Sequence, residues 1–465
     1  MSRLIRNGLS LIAGRILLSA ARMLAALAVA RLAGAESFGA YALLLSLIGI
    51  AEWLVDFGQT DIAVRDMARR PHRRAATLAA LARAKLWQGT ATAFALPLLL
   101  LVSGQGALVL AGCAGSVAIL AIAALQPARV ALRLALRMDR DIGAELAGVA
   151  LMLPLLFLAS LAHAPLPLLI ASLAAGRLLQ AVLTIRWAGP LGHPARHALD
   201  PLHLARRAAP LGFAGLLVLL YDALAPLLLA RLTDWRAVAL FAAASRFTSP
   251  ALVAIQALNG AFFPVLSGQS RRDPAAFART QQDALLLAMA LAAPLFAGLH
   301  VAAEAIMRLL GPDFAAAAPL LRLMAWVLLA RAVTTAMSPL ILIAGRQGRA
   351  MRLTLAALIA QCAALLLLVP RFGALGAAIG YLAIEFTLGT LAVSALAQSS
   401  TGVRLDWSPV ARAAGAAILL TLLIGATPLA GTLAGGALAA LLTCVATLAL
   451  SHRRLATLRP QERPA

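Results

Sequence analysis

Fourteen long apolar runs are the feature that most restricts how this 465-residue chain can fold. A helix needs roughly 20 apolar residues to cross a bilayer. The runs cover residues 8–32, 38–59, 86–104, 106–126, 143–162, 164–185, 210–231, 237–265, 284–306, 315–343, 353–370, 373–397, 410–427 and 429–450. Because 62% of the residues are apolar and only 12% are charged, a soluble chain of this size could not bury its apolar surface. The sequence therefore predicts an all-α polytopic membrane protein.

The character of the runs favours helices over barrel strands. Barrel strands alternate between apolar and polar residues over about ten positions, whereas these runs are continuous. The first run also carries Arg15 and Arg22 and is longer than the apolar part of a leader peptide. We expect it to be the first span and not a cleaved signal.

The basic residues predict the orientation of the spans. The formal net charge is +22, from 40 Lys and Arg against 18 Asp and Glu. With the N-terminus in the cytoplasm, 29 of the basic residues fall in cytoplasmic segments, five at outer ends and six inside spans. This alternating bias follows the positive-inside rule, so both termini are predicted to be cytoplasmic. It also explains the charge without a nucleic-acid partner.

Two segments about 200 residues apart share one pattern. Leu27–Leu32 closes the first run and Leu227–Leu232 closes the seventh, and an aromatic residue follows each arginine by about ten positions, namely Tyr41 and Phe241. A repeat of six spans keeps the same orientation in both copies. The pattern predicts two six-helix lobes related by an axis along the membrane normal, followed by an additional helix pair.

The predicted domains follow from this repeat. They are an N-terminal lobe (1–188), a cytoplasmic linker (189–209), a C-terminal lobe (210–397), spans 13 and 14 (398–451) and a cytoplasmic tail (452–465). Asp200-Pro201 in the linker is typical of a helix start. Leu202, Ala205 and Ala209 share one side of the helix that follows, which predicts a short interfacial helix.

Residues that could support catalysis or metal binding are sparse. Cys113, Cys362 and Cys444 each lie inside an apolar run, and His193 and His197 have no acidic or cysteine neighbours in the linker. We find no nucleophile–base pair and no phosphate-binding glycine loop. The sequence predicts no metal, no cofactor and no enzymatic activity.

Six arginines lie inside the predicted spans. They are Arg15, Arg22, Arg177, Arg246, Arg322 and Arg331. At about 2.5–3.5 kcal/mol each, lipid-facing arginines would together cost more than the net stability of a typical protein. Most of them must therefore face a cavity or an acidic partner. Depth along the runs predicts three structural ion pairs: Arg15 with Glu52 and Asp56, Asp222 with Arg246, and Arg331 with Glu385.

These pairs would leave Arg22 and Arg177 without an acidic partner near the midplane. Arg15, Ser19 and Arg22 share one face of the first span and form a narrow polar stripe. Guanidinium groups bind phosphate oxygens through two parallel hydrogen bonds. The sequence therefore predicts a cationic cavity for an anionic substrate. Its candidate binding residues are Arg15, Ser19, Arg22, Arg177, Arg246 and Arg331.

The opening segment resembles a known family. Its motifs are Ala30–Gly34, Phe38–Tyr41 and Asp56–Gly58, and the second half repeats them with Asp222 and Ala244–Phe247. These residues are similar to those of Wzx-type oligosaccharide flippases, which belong to the multidrug/oligosaccharidyl-lipid/polysaccharide superfamily. The plan of six, six and two spans agrees over the whole chain, and implies the fold of the multidrug (MATE) transporters.

The resemblance implies a function and a set of partners. The chain would move undecaprenyl-pyrophosphate-linked oligosaccharide, a repeat unit of O-antigen, capsule or exopolysaccharide, from the cytoplasmic to the periplasmic leaflet of the inner membrane by alternating access. Membrane lipids, a polysaccharide polymerase and glycosyltransferases would be its partners. Two positions depart from the family pattern, with Gln59 for the usual leucine and Ala239 for the usual glycine.

Three other functions remain open at this stage. A drug/cation antiporter of the same superfamily would need a protonatable carboxylate or sodium ligand in its binding lobe, where the first span offers arginines. A lipid II flippase moves a similar anionic lipid, and the net charge does not distinguish it. A non-transporting scaffold of an envelope polysaccharide complex would not need the polar stripe of the first span.

Overall fold

The computed structural model describes residues 3–70, 72, 74–189, 201–270, 272–402 and 405–455, and the regular elements in these ranges are helices. They are α1 (Arg3–Asp56), α2 (Gln59–Arg69), α3 (Arg74–Val102), α4 (Val109–Leu134), α5 (Met138–Leu161), α6 (Leu166–Ala188), α7 (Pro201–Leu232), α8 (Trp235–Arg246), α9 (Ser249–Gln269), α10 (Pro274–Val301), α11 (Ala303–Leu310), α12 (Ala318–Ile343), α13 (Gln347–Ile384), α14 (Val393–Thr401), α15 (Ser408–Gly425) and α16 (Leu433–Leu455). The all-α prediction is confirmed.

Within the described ranges, eleven segments are long and apolar enough to cross a membrane. Two of them, Gly14–Arg69 and Gln347–Thr401, have 56 and 55 residues and contain a sharp break, at Gly34 (φ 85°) and Gly373 (φ 55°). Each of the two is long enough for two crossings. With these counted twice, and with the shorter apolar helix Leu433–Ala449, the segments correspond to the fourteen predicted spans.

The chain divides into two compact units, and unit 1 comprises Met1–Ala239. Within it, α4 packs against α3 and α6, while α5 packs against α6 and the first half of the chain's long α1 helix. The following helix, α7, packs on α1 and α2. Unit 1 therefore surrounds α1 with helices that approach it from several sides.

The first turns of α7 pack on the short helix α2. Leu204 and Ala208 are buried against Ile62, Ala63 and Met67. The sequence had predicted a different apolar face, and its Leu202 is exposed in the structure. The difference arises because this segment continues directly into a membrane-length helix, so the packing of α7 fixes its rotation. The predicted linker and tail fall largely on residues 190–200 and 456–465, which lie outside the described residues.

Unit 2 comprises Leu240–Ala465. Its core joins α9, α10, α12, α15 and α16, and is made mainly of Ala and Leu side chains, with fewer Ile, Val, Met and Phe. Helix α13 continues into a π-helical segment, Glu385–Ala392, before α14 begins. The predicted lobe boundaries at 188 and 397 stay a prediction.

Candidate functional site

Helix α1 presents the predicted polar stripe of Arg15, Ser19 and Arg22 in unit 1. Arg15 is exposed and Ser19 is half-buried. Arg22 is 52% exposed, and its Nη2 donates a hydrogen bond of 2.7 Å to Oε1 of Glu145 on α5. This contact joins the stripe to a second helix.

Arg177 on α6 is held by several partners at once. Its Nη2 lies 3.1 Å from each carboxylate oxygen of Glu52, which belongs to the second half of α1. Its Nη1 donates to Oε1 of Gln180 at 3.0 Å and lies 3.8 Å from Oε1 of Glu145. The side chain is only 16% exposed. Arg22, Glu145, Arg177 and Glu52 thus form one chain of ion pairs across α1, α5 and α6.

A close crossing of α5 and α6 sets this geometry. A Cβ added to Gly176 would lie 2.6 Å from the carbonyl oxygen of Gly148 and 2.9 Å from Cβ of Met152. Only glycine permits backbones to approach this closely. Gly176 precedes Arg177, and Gly148 lies one turn from Glu145, so the crossing brings these two charged residues together.

A second polar cluster surrounds the end of α1. The chain has a single lysine, Lys85 of α3, which is 1% exposed. Its Nζ donates to the carbonyl oxygens of Val55 at 2.7 Å and Asp56 at 2.8 Å, and lies 3.6 Å from the Asp56 carboxylate. These carbonyls belong to the last turn of α1, which has no helical donors left for them. Lys85 therefore caps the helix where Phe57 (φ 43°) and Gly58 (φ 69°) turn the chain into α2.

A neighbouring pair extends this cluster to α4 and α5. Nε of Arg129 lies 2.9 Å from Oδ1 of Asp141, and both side chains are about 15% exposed. Asp141 stands one turn before Glu145 on α5, so both carboxylates lie on the same helix face. The buried amide of Gln59 lies next to the cluster and has no protein partner within the described ranges.

Unit 2 contains a separate charged group. Nη1 of Arg331 donates to the hydroxyl oxygen of Tyr381 at 2.9 Å, and Nε lies 3.9 Å from Oε1 of Glu385. Glu385 is 6% exposed and opens the π-helical segment. Arg322, also on α12, pairs with Glu304 of α11 at 2.9 Å. Both span arginines of α12 therefore have an acidic neighbour.

The structure corrects two expectations about ion pairs. Arg22 and Arg177 were expected to lack an acidic partner, and this is wrong because Glu145 binds Arg22 and Glu52 binds Arg177. Glu52 was expected to form an ion pair with Arg15, but in the structure it forms one with Arg177. Depth along a run fixes height in the membrane but not the rotation of each helix, which decides the partners.

Other predicted site residues are placed individually. Asp56 contacts Lys85 and Thr60. Asp222 lies in unit 1 and Arg246 in unit 2, and their pairing stays a prediction. The roles predicted for Arg15, Ser19, Arg246 and Arg331 in binding a substrate also stay predictions.

Sequence reasoning missed several residues of these clusters, namely Glu145, Gln180, Lys85, Arg129, Asp141, Glu304 and Tyr381. Glu145 stands two positions after the predicted start of its span, and a carboxylate there is expected to lie at the membrane surface and not in a binding site. Lys85 was counted only as one of the 29 basic residues in the predicted cytoplasmic segments, although it is the single lysine of the chain. No feature of the sequence marked Tyr381 as a site residue. Among the residues with described positions, no group of His, Cys, Asp and Glu is arranged to hold a metal ion.

Solved structures with the same fold are flippases and transporters. The chain is similar to a lipid II flippase, MurJ, in an inward closed conformation, with a TM-score of 0.78 at 11% identity over 97% of this chain and 100% of that one. It is also similar to a multidrug resistance MATE family transporter in inward-facing form, with a TM-score of 0.65, 15% identity and coverage of 82% and 96%. For the outward-facing form of a MATE family transporter, the TM-score is 0.59 at 14% identity, over 86% of this chain and 96% of that one. The fold is therefore the one that these flippase and transporter structures share.

The family follows from the sequence match. Residues 4–269 match the model of the family described as "Polysaccharide biosynthesis protein". Because the match covers more than half of the chain, the protein belongs to this family, and the resemblance to Wzx-type proteins is confirmed. No curated protein matches the chain. The protein is thus a multi-pass membrane protein whose family and fold neighbours are transporters rather than enzymes.

Proposed function

We propose that the protein moves a polyprenyl-pyrophosphate-linked oligosaccharide from the cytoplasmic to the periplasmic leaflet of the inner membrane by alternating access. Membership of the polysaccharide biosynthesis family supports this proposal. One structural observation carries it: Arg22 is fixed at one atom by Glu145 yet remains 52% exposed. About half of the side chain is thus uncovered by protein, and we infer that an anion can reach the guanidinium from this side.

The charge balance of the site favours a strongly anionic ligand. Arg15, Arg22 and Arg177 face two carboxylates, those of Glu52 and Glu145. An exposed arginine at membrane depth is costly unless it meets water or an opposite charge. A pyrophosphate supplies several acceptor oxygens of the kind that guanidinium binds in parallel pairs. The site therefore suits a lipid pyrophosphate better than a neutral lipid or a cationic drug.

The proposal includes topology and partners. Both termini would be cytoplasmic, as the distribution of basic residues predicts. The lipid-linked glycan would be an O-antigen, capsule or exopolysaccharide repeat unit, made by glycosyltransferases on the cytoplasmic side. A polymerase would use it on the other side.

Deletion of the gene and complementation test the proposal. Cells without the protein should accumulate lipid-linked glycan that faces the cytoplasm and should lose surface polymer. The wild-type gene should restore the polymer, and Arg22→Ala should fail to do so at equal abundance in the membrane. Normal surface polymer in a deletion strain that has no second flippase would contradict the proposal.

A lipid II flippase is the second candidate, because MurJ has the same fold over nearly the whole chain. A flipping assay in vesicles that contain the purified protein distinguishes the two candidates. An undecaprenyl-pyrophosphate oligosaccharide without peptide and lipid II would be offered in parallel. Faster flipping of lipid II would favour the second candidate.

The remaining alternatives have less support from the site. A drug/cation antiporter needs a carboxylate free to bind a proton or sodium ion, whereas Glu52 and Glu145 each lie within 3.1 Å of an arginine nitrogen. A scaffold would not require the arginines, so transport in vesicles by the protein alone would exclude that function.

A further inference from the structure

The two central arginines of the site are held in different ways. Arg177 contacts Glu52, Gln180 and Glu145 and is 16% exposed. Arg22 has one ion pair, with Glu145, and is 52% exposed. Arg177 is therefore fixed in the helix bundle, whereas Arg22 can exchange its partner while Arg177 keeps its contacts with Glu52 and Gln180.

We propose that Glu145 is an internal competitor that a pyrophosphate must displace from Arg22, and that it thereby selects lipid diphosphates over lipid monophosphates. This inference rests on the proposed function of the site. Glu145 occupies Nη2 of Arg22 at 2.7 Å. A ligand that binds this guanidinium through two parallel hydrogen bonds must take that nitrogen from the carboxylate.

Glu145 does not lose all positive partners when Arg22 leaves it. Its Oε1 also lies 3.8 Å from Nη1 of Arg177, which keeps its own position through Glu52 and Gln180. A buried carboxylate left without any cation would be strongly unfavourable. Because Arg177 stays in place, the exchange at Arg22 avoids most of that cost. The exchange is also reversible, so Glu145 can recover Arg22 when the lipid leaves.

Competition of this kind discriminates between anions by charge and by number of oxygens. A diphosphate carries more negative charge and more acceptors than a monophosphate. It can therefore offset the loss of the Arg22–Glu145 pair more fully, while a monophosphate gains little over the carboxylate that it replaces. Anionic phospholipids of the surrounding leaflet carry a single phosphodiester and would be rejected for the same reason.

The test is direct binding by the purified full-length protein in lipid nanodiscs, with undecaprenyl pyrophosphate and undecaprenyl monophosphate as probes. The wild type should prefer the diphosphate. Glu145→Gln removes the competing charge but keeps the shape, and should bind both probes more tightly. The gain should be roughly tenfold or more for the monophosphate and smaller for the diphosphate. The preference should therefore shrink.

Three further variants separate this role from a structural one. Asp139→Asn neutralises an exposed carboxylate in the first turn of α5, away from Arg22, so it should leave both affinities unchanged. The double variant Arg22→Ala/Glu145→Gln should show no gain, because the gain acts through Arg22. Glu145→Asp keeps the charge on a shorter side chain, and its preference for the diphosphate should lie between those of the wild type and Glu145→Gln. This variant replaces Glu145→Gln in the test if the glutamine variant does not fold.

The possible results are distinct. Tighter binding and a smaller preference in Glu145→Gln support the inference. Unchanged or weaker binding in that variant, with a wild type that binds the diphosphate, overturns the inference and leaves the proposed function intact. A wild type that binds neither probe contradicts the proposed function, and the inference with it.

Discussion

Gly148 of α5 and Gly176 of α6 lie in direct backbone contact, at the point where the two helices cross. A Cβ on Gly176 would lie 2.6 Å from the carbonyl oxygen of Gly148. Arg177 follows directly in the chain, and Glu145 lies one turn away on the other helix. The spacing of two backbones thus fixes the distance between two charged groups of the candidate site.

Gly176→Ala should therefore separate α5 and α6. We expect a loss of about 1–3 kcal/mol in the free energy of unfolding, as is usual for overpacking. Transport should fall as well, because Arg177 moves away from Glu145. Thermal unfolding of the purified protein and complementation measure the two effects. Gly143→Ala is the matched control, since its Cβ would lie 3.5 Å from Trp187 in ordinary contact. Equal stability in the two variants would contradict the prediction.

Lys85→Met should destabilise unit 1. The change leaves two carbonyl oxygens at the end of α1 and the Asp56 carboxylate without the ammonium group that binds them. We expect a loss of about 3–5 kcal/mol, which is typical when one partner of a buried pair is removed. Urea or thermal unfolding in detergent checks the value. Leu86→Met makes the same replacement at the adjacent position, which is 65% exposed, and should change stability by about 0.5 kcal/mol or less.

Tyr381→Phe should weaken the charged group of unit 2. It removes the hydroxyl that accepts a hydrogen bond from Arg331 but keeps the ring, which packs edge-on against Phe241 with centroids 6.5 Å apart. A hydrogen bond to a charged group contributes about 1.5–3 kcal/mol. A double-mutant cycle with Arg331→Gln measures the coupling. Purely additive losses would show that the hydrogen bond contributes nothing.

Arg177→Gln should mainly lower the stability of the protein, whereas Arg22→Gln should mainly lower transport. The first strands Glu52 and Gln180 and should cost about 3–5 kcal/mol of stability. The second leaves Glu145 beside Arg177 and should cost about 1 kcal/mol or less, as for other exposed pairs. Membrane abundance and melting temperature report stability, while surface polymer reports transport. Loss of the Arg22→Gln protein from the membrane would show that Arg22 is structural.

Sequence reasoning predicted the fold well because hydropathy determines it. Most apolar runs correspond to a membrane-length helix or to half of a broken one, and the break at Gly34 falls between the first two predicted spans. The run 237–265 is divided between α8 and α9, and the last run forms the shorter helix Leu433–Ala449. Arg331 and Glu385 were matched correctly in depth, and the structure places them 3.9 Å apart.

The partners in unit 1 could not be predicted in the same way. Arg22 and Glu145 lie 123 positions apart in the chain. Their contact depends on the rotation of α5 and on its crossing with α6 at two glycines. Depth along a run carries no information about either. Lys85 was misassigned for a related reason, because its helix begins before the apolar run does.

The π-helical segment Glu385–Ala392 affects how insertions and deletions should act in this part of the chain. A π-turn closes its hydrogen bonds one residue later than an α-turn and so holds additional sequence in the same length of helix. Removal of one residue here can therefore be absorbed by a return to α-helix, so that every later residue keeps its direction relative to Glu385. Buried Ser394 and Ala397 would then keep their neighbours. The same deletion in a regular stretch of helix would turn the later residues by about 100°, so this segment tolerates a change of length that its neighbours do not.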